Sequence, residues 1–245
     1  MSGTDLALAG ALLVGAVLYS SVGHGGASAY IAIMSLFGMG AGDIKPTALA
    51  LNVLVASIAS YRYVKAGQFD ARLFAQVAIP AFPAAFLGGY MTLPSAVYNP
   101  IVGAVLIFTG LRFFLPLPAL RVGAAGWGAT LAKIAAGAGI GLLSGLTGTG
   151  GGIFLSPLVL MLGWATPKQA SGVAALFILL NSASGLMGNI SALSRLPDNL
   201  PLLGAAVVLG GLIGTSVGVR YFNNRAVAMA LSAVLLVAGV KFLLT

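Results

Sequence analysis

Apolar runs dominate this chain, and the breaks between them carry most of the information. Bounded by polar residues or by Gly/Pro punctuation, they predict ten segments. Five lie at about 5–22, 26–39, 47–64, 72–92 and 97–115; five more at about 127–147, 152–163, 170–188, 200–219 and 226–244. A helix needs about 20 apolar residues to cross a bilayer. The second run of each set, 26–39 and 152–163, is clearly shorter. Each short run is entered through a glycine cluster. One is Gly23, His24, Gly25 and Gly26 in "SSVGHGGASAY"; the other is Gly148, Thr149, Gly150, Gly151 and Gly152 in "SGLTGTGGGIFLSPLVL".

The two clusters head similar stretches. After each come a short apolar run and a polar turn, containing Lys45-Pro46 in one case and Pro167-Lys168 in the other. The two stretches also close alike, on "GLRFFL" (Gly110 to Leu115) and "GVKFLL" (Gly239 to Leu244). An internal duplication explains this shared order better than coincidence does. Five segments per copy is an odd number, so the second copy must sit upside down relative to the first.

The basic residues agree with inversion. With the N-terminus outside, Arg62, Lys65, Arg72, Arg112, Arg121, Lys133, Lys168, Arg220 and Arg225 fall on the cytoplasmic side, against Lys45, Arg195 and Lys241 outside. That is the bias of the positive-inside rule. The expected organisation is repeat one at 1–115, a cytoplasmic linker at 116–126 and the inverted repeat two at 127–245, with both termini outside the cytoplasm. The fold class is an all-α polytopic membrane protein of two inverted repeats. Each repeat is a Gly-broken helical hairpin followed by three transmembrane helices. The parity holds whether the broken pair crosses fully or re-enters.

Composition narrows the chemistry. Apolar residues make up 59% of the chain and charged residues 7%, where a soluble domain carries about a quarter charged. The solvent is therefore lipid. The net charge of +8 is scattered through loops, which fits orientation in a membrane and not nucleic-acid binding. Without cysteine there is no disulfide, thiol catalysis or thiolate metal site. The start carries Asp5 in place of a basic n-region, so the first helix reads as retained. All four carboxylates (Asp5, Asp43, Asp70 and Asp198) sit at predicted membrane edges, and there is one histidine. No catalytic, metal or cofactor constellation can be assembled from these, and no Walker motif is present. The reading is a non-enzyme without cofactors.

The glycine breaks carry the remaining chemistry. Non-helical backbone at membrane depth is tolerated only where protein or a water-filled cavity covers it. A helix starting there offers unpaired N–H groups and the positive end of its dipole, an anion site that needs no cationic side chain. The candidate substrate-binding residues are Gly23, His24, Gly25, Gly26 and Gly148, Thr149, Gly150, Gly151, Gly152. To these are added the hydroxyls of Ser28 and Thr147 and the amides of Asn52 and Asn181. The competing reading, close helix packing through small residues, suits Gly137, Gly141 and Gly145 and also Gly210, Gly214 and Gly218. His24 reads either as a packed, hydrogen-bonded imidazole or as the carrier of a coupling proton, its ordinary pKa being about 6.5. The two asparagines read as interhelical glue or as cavity lining. Pro80 and Pro83 predict a kinked fourth helix, and Lys133 a lysine snorkelling to the cytoplasmic face.

The stretch "GLTGTGGGIFLSPLVLMLGWATPKQASGVAALFILLNSASG" resembles the signature of the TauE/SafE family, the sulfite-exporter-like or toluenesulfonate-uptake permeases. The likeness recurs in degraded form from Ser21 to Ser60 and covers essentially the whole chain. It places the family's glycine motif on Gly148, Gly150, Gly151 and Gly152, and its proline on Pro157. The first repeat departs from it at His24 and Ala27 and has no proline to match Pro157. The resemblance implies a secondary transporter, in the exporter direction, of small sulfur-containing anions such as sulfite, sulfonates, sulfoacetate or thiosulfate. It would work across the inner membrane by alternating access around a midplane site. The implied partners are the anion, a coupling proton or cation, and membrane lipid, with no nucleic acid; the small-residue faces are compatible with a homodimer. The alternatives are an anion channel, or an uptake permease for another small oxyanion or carboxylate.

Overall fold

The structure is a computed structural model that describes residues 3–114, 126–220, 236–237 and 239–244. The linker at 116–126, apart from Gly126, and most of the segment expected at 226–244 lie outside the described residues. Within them every regular element is helical: α1 Gly3–Ser20, α2 Ala27–Leu36, α3 Ala41–Lys65, α4 Ala71–Tyr90, α5 Ser95–Phe114, α6 Trp127–Thr147, α7 Gly152–Met161, α8 Pro167–Gly188 and α9 Leu200–Arg220. Residues 239–244 are helical again. Among the described residues six helices (α1, α3, α4, α6, α8 and α9) are long and apolar enough to cross a membrane. At 1.5 Å per residue the ten-residue α2 and α7 reach only about 15 Å, half of a hydrocarbon core.

Both short helices fold back on their predecessors. Gly15 of α1 lies against Ala29 and Ile33 of α2, and Ser28 Oγ donates to Tyr19 Oη at 3.0 Å. At the second pair, Lys133 near the start of α6 stacks over the ring of Trp164, just past the end of α7, 5.5 Å from its centroid. In each pair the short helix folds back along the long one as a helical hairpin. The same contact corrects the expectation for Lys133. The Trp164 ring covers it and it is buried, so its ammonium does not snorkel to the surface.

Helix boundaries moved where polar residues hid a helix start. α3 begins at Ala41, about six residues before the apolar run, because Gly40 O accepts from Asp43 N and Ile44 N and opens the helix within "AGDIKPT". Asp43 in its first turn suits the positive end of the dipole. α8 begins at Pro167 behind a capping box formed by Thr166 and Gln169. The expected loop "NISALSRLPDN" contains a 3-10 turn, Ile190–Arg195.

Glycine stripes set the closest helix pairs. A Cβ added to Gly137, Gly141 or Gly145 of α6 would lie 2.2–2.4 Å from the carbonyl oxygens of Val77, Ala81 and Ala85 on α4. On α9, Gly210, Gly214 and Gly218 meet the carbonyls of Leu13, Val17 and Ser21 of α1 in the same way, at 2.1–2.5 Å. The packing reading therefore holds for both stripes. Numbering rises together in each pair, so both run parallel. Through the centre α3 and α8 cross antiparallel: Leu49 approaches Gly185, and Ala59 and Tyr63 pack on Ala175. α9 packs on α1 and α3, while α4 packs on α6 and α8.

Lys65, Arg72, Lys133 and Lys168 lie at the end where α3 finishes and α4, α6 and α8 start; Lys45, Arg195 and Lys241 lie at the other. Exposed aromatics mark both ends: Tyr61 and Trp127 at the first and Tyr90 at the second. They occupy the positions of an interfacial aromatic belt.

Candidate functional site

The two glycine breaks meet near the middle of α3 and α8. In the first, α1 ends at Ser20 and the backbone turns through Gly23 and Gly26, with φ of 78° and 103°, before α2 begins. In the second, Gly148, Gly150 and Gly151 have φ of 80°, 76° and 79° before α7 begins. Gly25 and Gly152 serve space instead. A Cβ on Gly25 would sit 2.0 Å from Asn52 Oδ1, and one on Gly152 would sit 2.2 Å from Ile178 Cδ1.

Asn52 is the hub of the first break. Its Oδ1 accepts from Ala27 N, the first N–H of α2, at 3.2 Å, and its Nδ2 donates to Ser182 Oγ on α8 at 2.7 Å. A distant side chain thus caps α2, which Gly26 at its N-cap cannot do. Tyr30 Oη donates to Gly25 O at 2.8 Å, and Tyr63 Oη to Ser21 O at 3.1 Å. The first break is tied on all sides.

The second break is held differently. Thr147 Oγ1 donates to Leu143 O at 2.8 Å, so at 2.9 Å from Thr149 Oγ1 it is the acceptor. Tyr98 Oη of α5 donates to Thr147 O at 3.1 Å. Gly151 has no side chain to cap α7, and among the described residues none does for Gly152 N what Asn52 does for Ala27 N.

Two buried polar side chains lie beside this open helix start. His24 Nε2 lies 3.1 Å from Gly152 O. A carbonyl only accepts, so Nε2 carries the proton and Nδ1 holds the lone pair of the neutral ring. Nδ1 is buried without a hydrogen-bond partner, and so is Oγ of Ser144, whose Cβ lies against Gly151. A neutral His24 offers an acceptor; a protonated one offers an N–H donor and a positive charge.

The expected residues divide accordingly. Gly25, Gly150, Gly152, His24 and Asn52 come together across the two breaks. Thr147 and Thr149 join one another, and Ser28 is committed to Tyr19. Asn181 stands apart. Gly25 and Gly150 both abut Asn52 and Ile178, so Ile178 takes the place on α8 that Asn52 takes on α3. Asn181 is nearly a turn further along, on the stripe continued by Ser184, Gly185 and Gly188, and those three pack on α4. Both of its amide atoms are buried without a partner. Sequence reasoning gave Ser182 only a weaker claim than the asparagines and passed over Ser144, Ile178, Tyr98 and Lys45. For Lys45 a signal existed, since the helical register of α3 extends back through it; the others are single residues in apolar context.

Helices of this length and composition, with two glycine-broken hairpins meeting at mid-depth, define a multi-pass membrane protein of the transporter kind. The comparisons give the family. The family model "Sulfite exporter TauE/SafE" matches residues 7–242. The chain is 40% identical over 241 residues to "Probable membrane transporter protein y4hK" of Sinorhizobium fredii (strain NBRC 101917 / NGR234), covering 97% of this chain and 98% of that protein. No solved structure matches. The chain belongs to the TauE/SafE family and is a membrane transporter.

Proposed function

We propose that this protein is a secondary transporter that exports small sulfur-containing oxyanions, with sulfite, sulfonates and sulfoacetate as the substrate class, and that it is not an enzyme. The carrying observation is the uncapped start of α7, with the buried side chains of His24 and Ser144 beside it, the Nδ1 of one and the Oγ of the other having no hydrogen-bond partner. Helix N–H groups and the dipole favour negative charge there. A protonated His24 would add a donor and a charge, which makes it the candidate for proton coupling. The family supports the class of substrate, and the name of the relative supports the transporter role.

The same proposal takes the two halves as inverted repeats in the inner membrane, with both termini outside the cytoplasm. The packing supports it: exchanging α1 with α6, α3 with α8 and α4 with α9 turns each principal helix pair into another of the set. Two hairpins that re-enter from opposite ends then offer the anion alternating access as one or the other withdraws.

The decisive experiment reconstitutes the purified protein in proteoliposomes and measures uptake and counterflow of sulfite, thiosulfate, sulfoacetate, taurine, sulfate and simple carboxylates. Saturable counterflow of at least one sulfur oxyanion is expected. Counterflow of carboxylates alone would overturn the substrate class, and flux without counterflow would overturn the carrier mechanism. Reporter tags on the two termini should both read outside the cytoplasm; a cytoplasmic C-terminus would break the inverted arrangement.

A further inference from the structure

Beside the second break, at the end where α4 and α8 finish, lies a cavity of about 280 Å³ lined in part by Gly42, Lys45, Thr92, Tyr98, Asn189 and Arg195. We infer that it is an outer vestibule subsite for the transported anion, a positively biased chamber that exchanges it with the second break. The inference rests on the transporter reading above.

Charge is the first argument. Two cations line the cavity and no carboxylate does. The nearby Asp43 lies on the Gly40 side, 3.5 Å from where a Gly40 Cβ would stand.

The helix ends are the second. α3 opens at Ala41 and α5 at Ser95, so Gly42 and the Thr92–Pro94 approach bring two positive helix ends to the cavity. α4, α6 and α8 end there with carbonyls that would repel an anion, and several of these are engaged, those of Gly185 and Leu186 by Asn189 N. Lys45 Nζ donates to Gly88 O, Gly89 O and Met91 O at 3.2, 3.3 and 3.4 Å, and Tyr98 Oη takes Thr147 O. Lys45 therefore offsets the negative end of α4 as a fixed charge, while the exposed Arg195 at the mouth has a fork suited to an oxyanion.

Position is the third. The Lys45 stem lies against Gly148, whose Cβ would be 3.1 Å from Lys45 Cγ. Tyr98 lines the cavity and binds the backbone of Thr147. The cavity and the second break share a wall made of these two side chains.

The native chain has no cysteine, so Thr92→Cys places a single thiol in the cavity without further engineering. In purified protein this thiol should react faster with a sulfonate-bearing methanethiosulfonate than with a trimethylammonium one, relative to Ala66→Cys on the exposed turn between α3 and α4. Adding Arg195→Gln should reduce that preference several-fold. Equal preference at the two positions would overturn the inference, whatever the substrate proves to be. In proteoliposomes, Arg195→Gln should raise the KM for sulfite several-fold at low salt and leave the maximal rate unchanged, with the difference shrinking as salt rises. An unchanged KM in a protein that transports sulfite would sink the vestibule subsite alone. Labelling of Thr92→Cys as expected, with a wild type that moves no sulfite, would sink the sulfite assignment alone.

Discussion

The two glycine breaks share a backbone plan and differ in what completes it. Gly23 and Gly26 match Gly148 and Gly151 in left-handed φ, and in each case a ten-residue helix follows. At the first break Asn52 caps the new helix, and Tyr30 and Tyr63 hold the turn. At the second break the place of Asn52 is taken by Ile178, and the start of α7 has no cap. Matched geometry with unequal capping assigns different jobs: the first break is a fixed support, and the second exposes its N–H groups. His24 belongs to the support but reaches across to Gly152, so the support lends an imidazole to the second break.

The sharpest way to break this comparison is to fill the second break. A Cβ on Gly150 would stand 2.2 Å from Asn52 Nδ2 and 3.0 Å from Ser182 Oγ, at a φ of +76° that side chains rarely adopt. Gly150→Leu should abolish sulfite binding and transport. Insertion and the monodisperse detergent-solubilised form should survive, because the α4–α6 and α1–α9 interfaces are untouched. Wild-type binding by this variant would end the anion-cradle reading.

A smaller loss is expected from the support. Asn52→Leu leaves Ala27 N and Ser182 Oγ without their hydrogen bonds to the amide, at roughly 1–3 kcal/mol for each buried group orphaned. The unfolding midpoint should drop by several degrees, and transport should weaken without vanishing. A drop in transport with no loss of stability would mean that Asn52 contacts the anion and is more than a support.

The converse change sharpens the comparison. Ile178 lies against Gly152 as Asn52 lies against Gly25, so Ile178→Asn puts an amide where it can cap Gly152 N. Its oxygen would compete with the anion for that N–H, and sulfite affinity should fall several-fold with a modest change in stability. Unchanged affinity would show that the start of α7 is not where the anion binds.

Much of this architecture was legible in the chain. Two apolar runs too short to cross, each behind a glycine cluster, announce broken helices, and four-residue glycine spacing announces the close-packing faces of α6 and α9, though not their partners. The start of α3 was not legible, since "AGDIKPT" is polar enough to pass for a loop; its burial comes from tertiary contact with the carbonyl ends of α4. Nor was the inequivalence of the asparagines. Asn52 and Asn181 follow their breaks at intervals that differ by about one helical turn, which is within the error of any boundary read from sequence, yet one turn moves a side chain from the break to the α4 interface. Lys133 shows the same limit, because Trp164, which covers it, arrives from beyond the glycine break.

The smallest effect, and the one that reports on coupling, belongs to His24. Its Nε2–H is committed to Gly152 O, so any proton gained goes to the buried Nδ1. Only the protonated ring offers a second donor and a positive charge to an anion at the start of α7. If the anion binds with that proton, its affinity falls as pH rises through the His24 titration, by up to about tenfold per pH unit above it. Below the titration the affinity levels off, because the ring is already protonated. His24→Ala should bind sulfite weakly at every pH, with the slope gone; His24→Gln keeps a donor for Gly152 O but cannot titrate, so it should also be flat. Sulfite itself changes protonation near neutrality, so the profile is best measured with a sulfonate such as taurine or sulfoacetate, whose sulfonate stays ionised. A slope that persists in both variants would remove His24 from coupling and leave it as a strut between the two breaks.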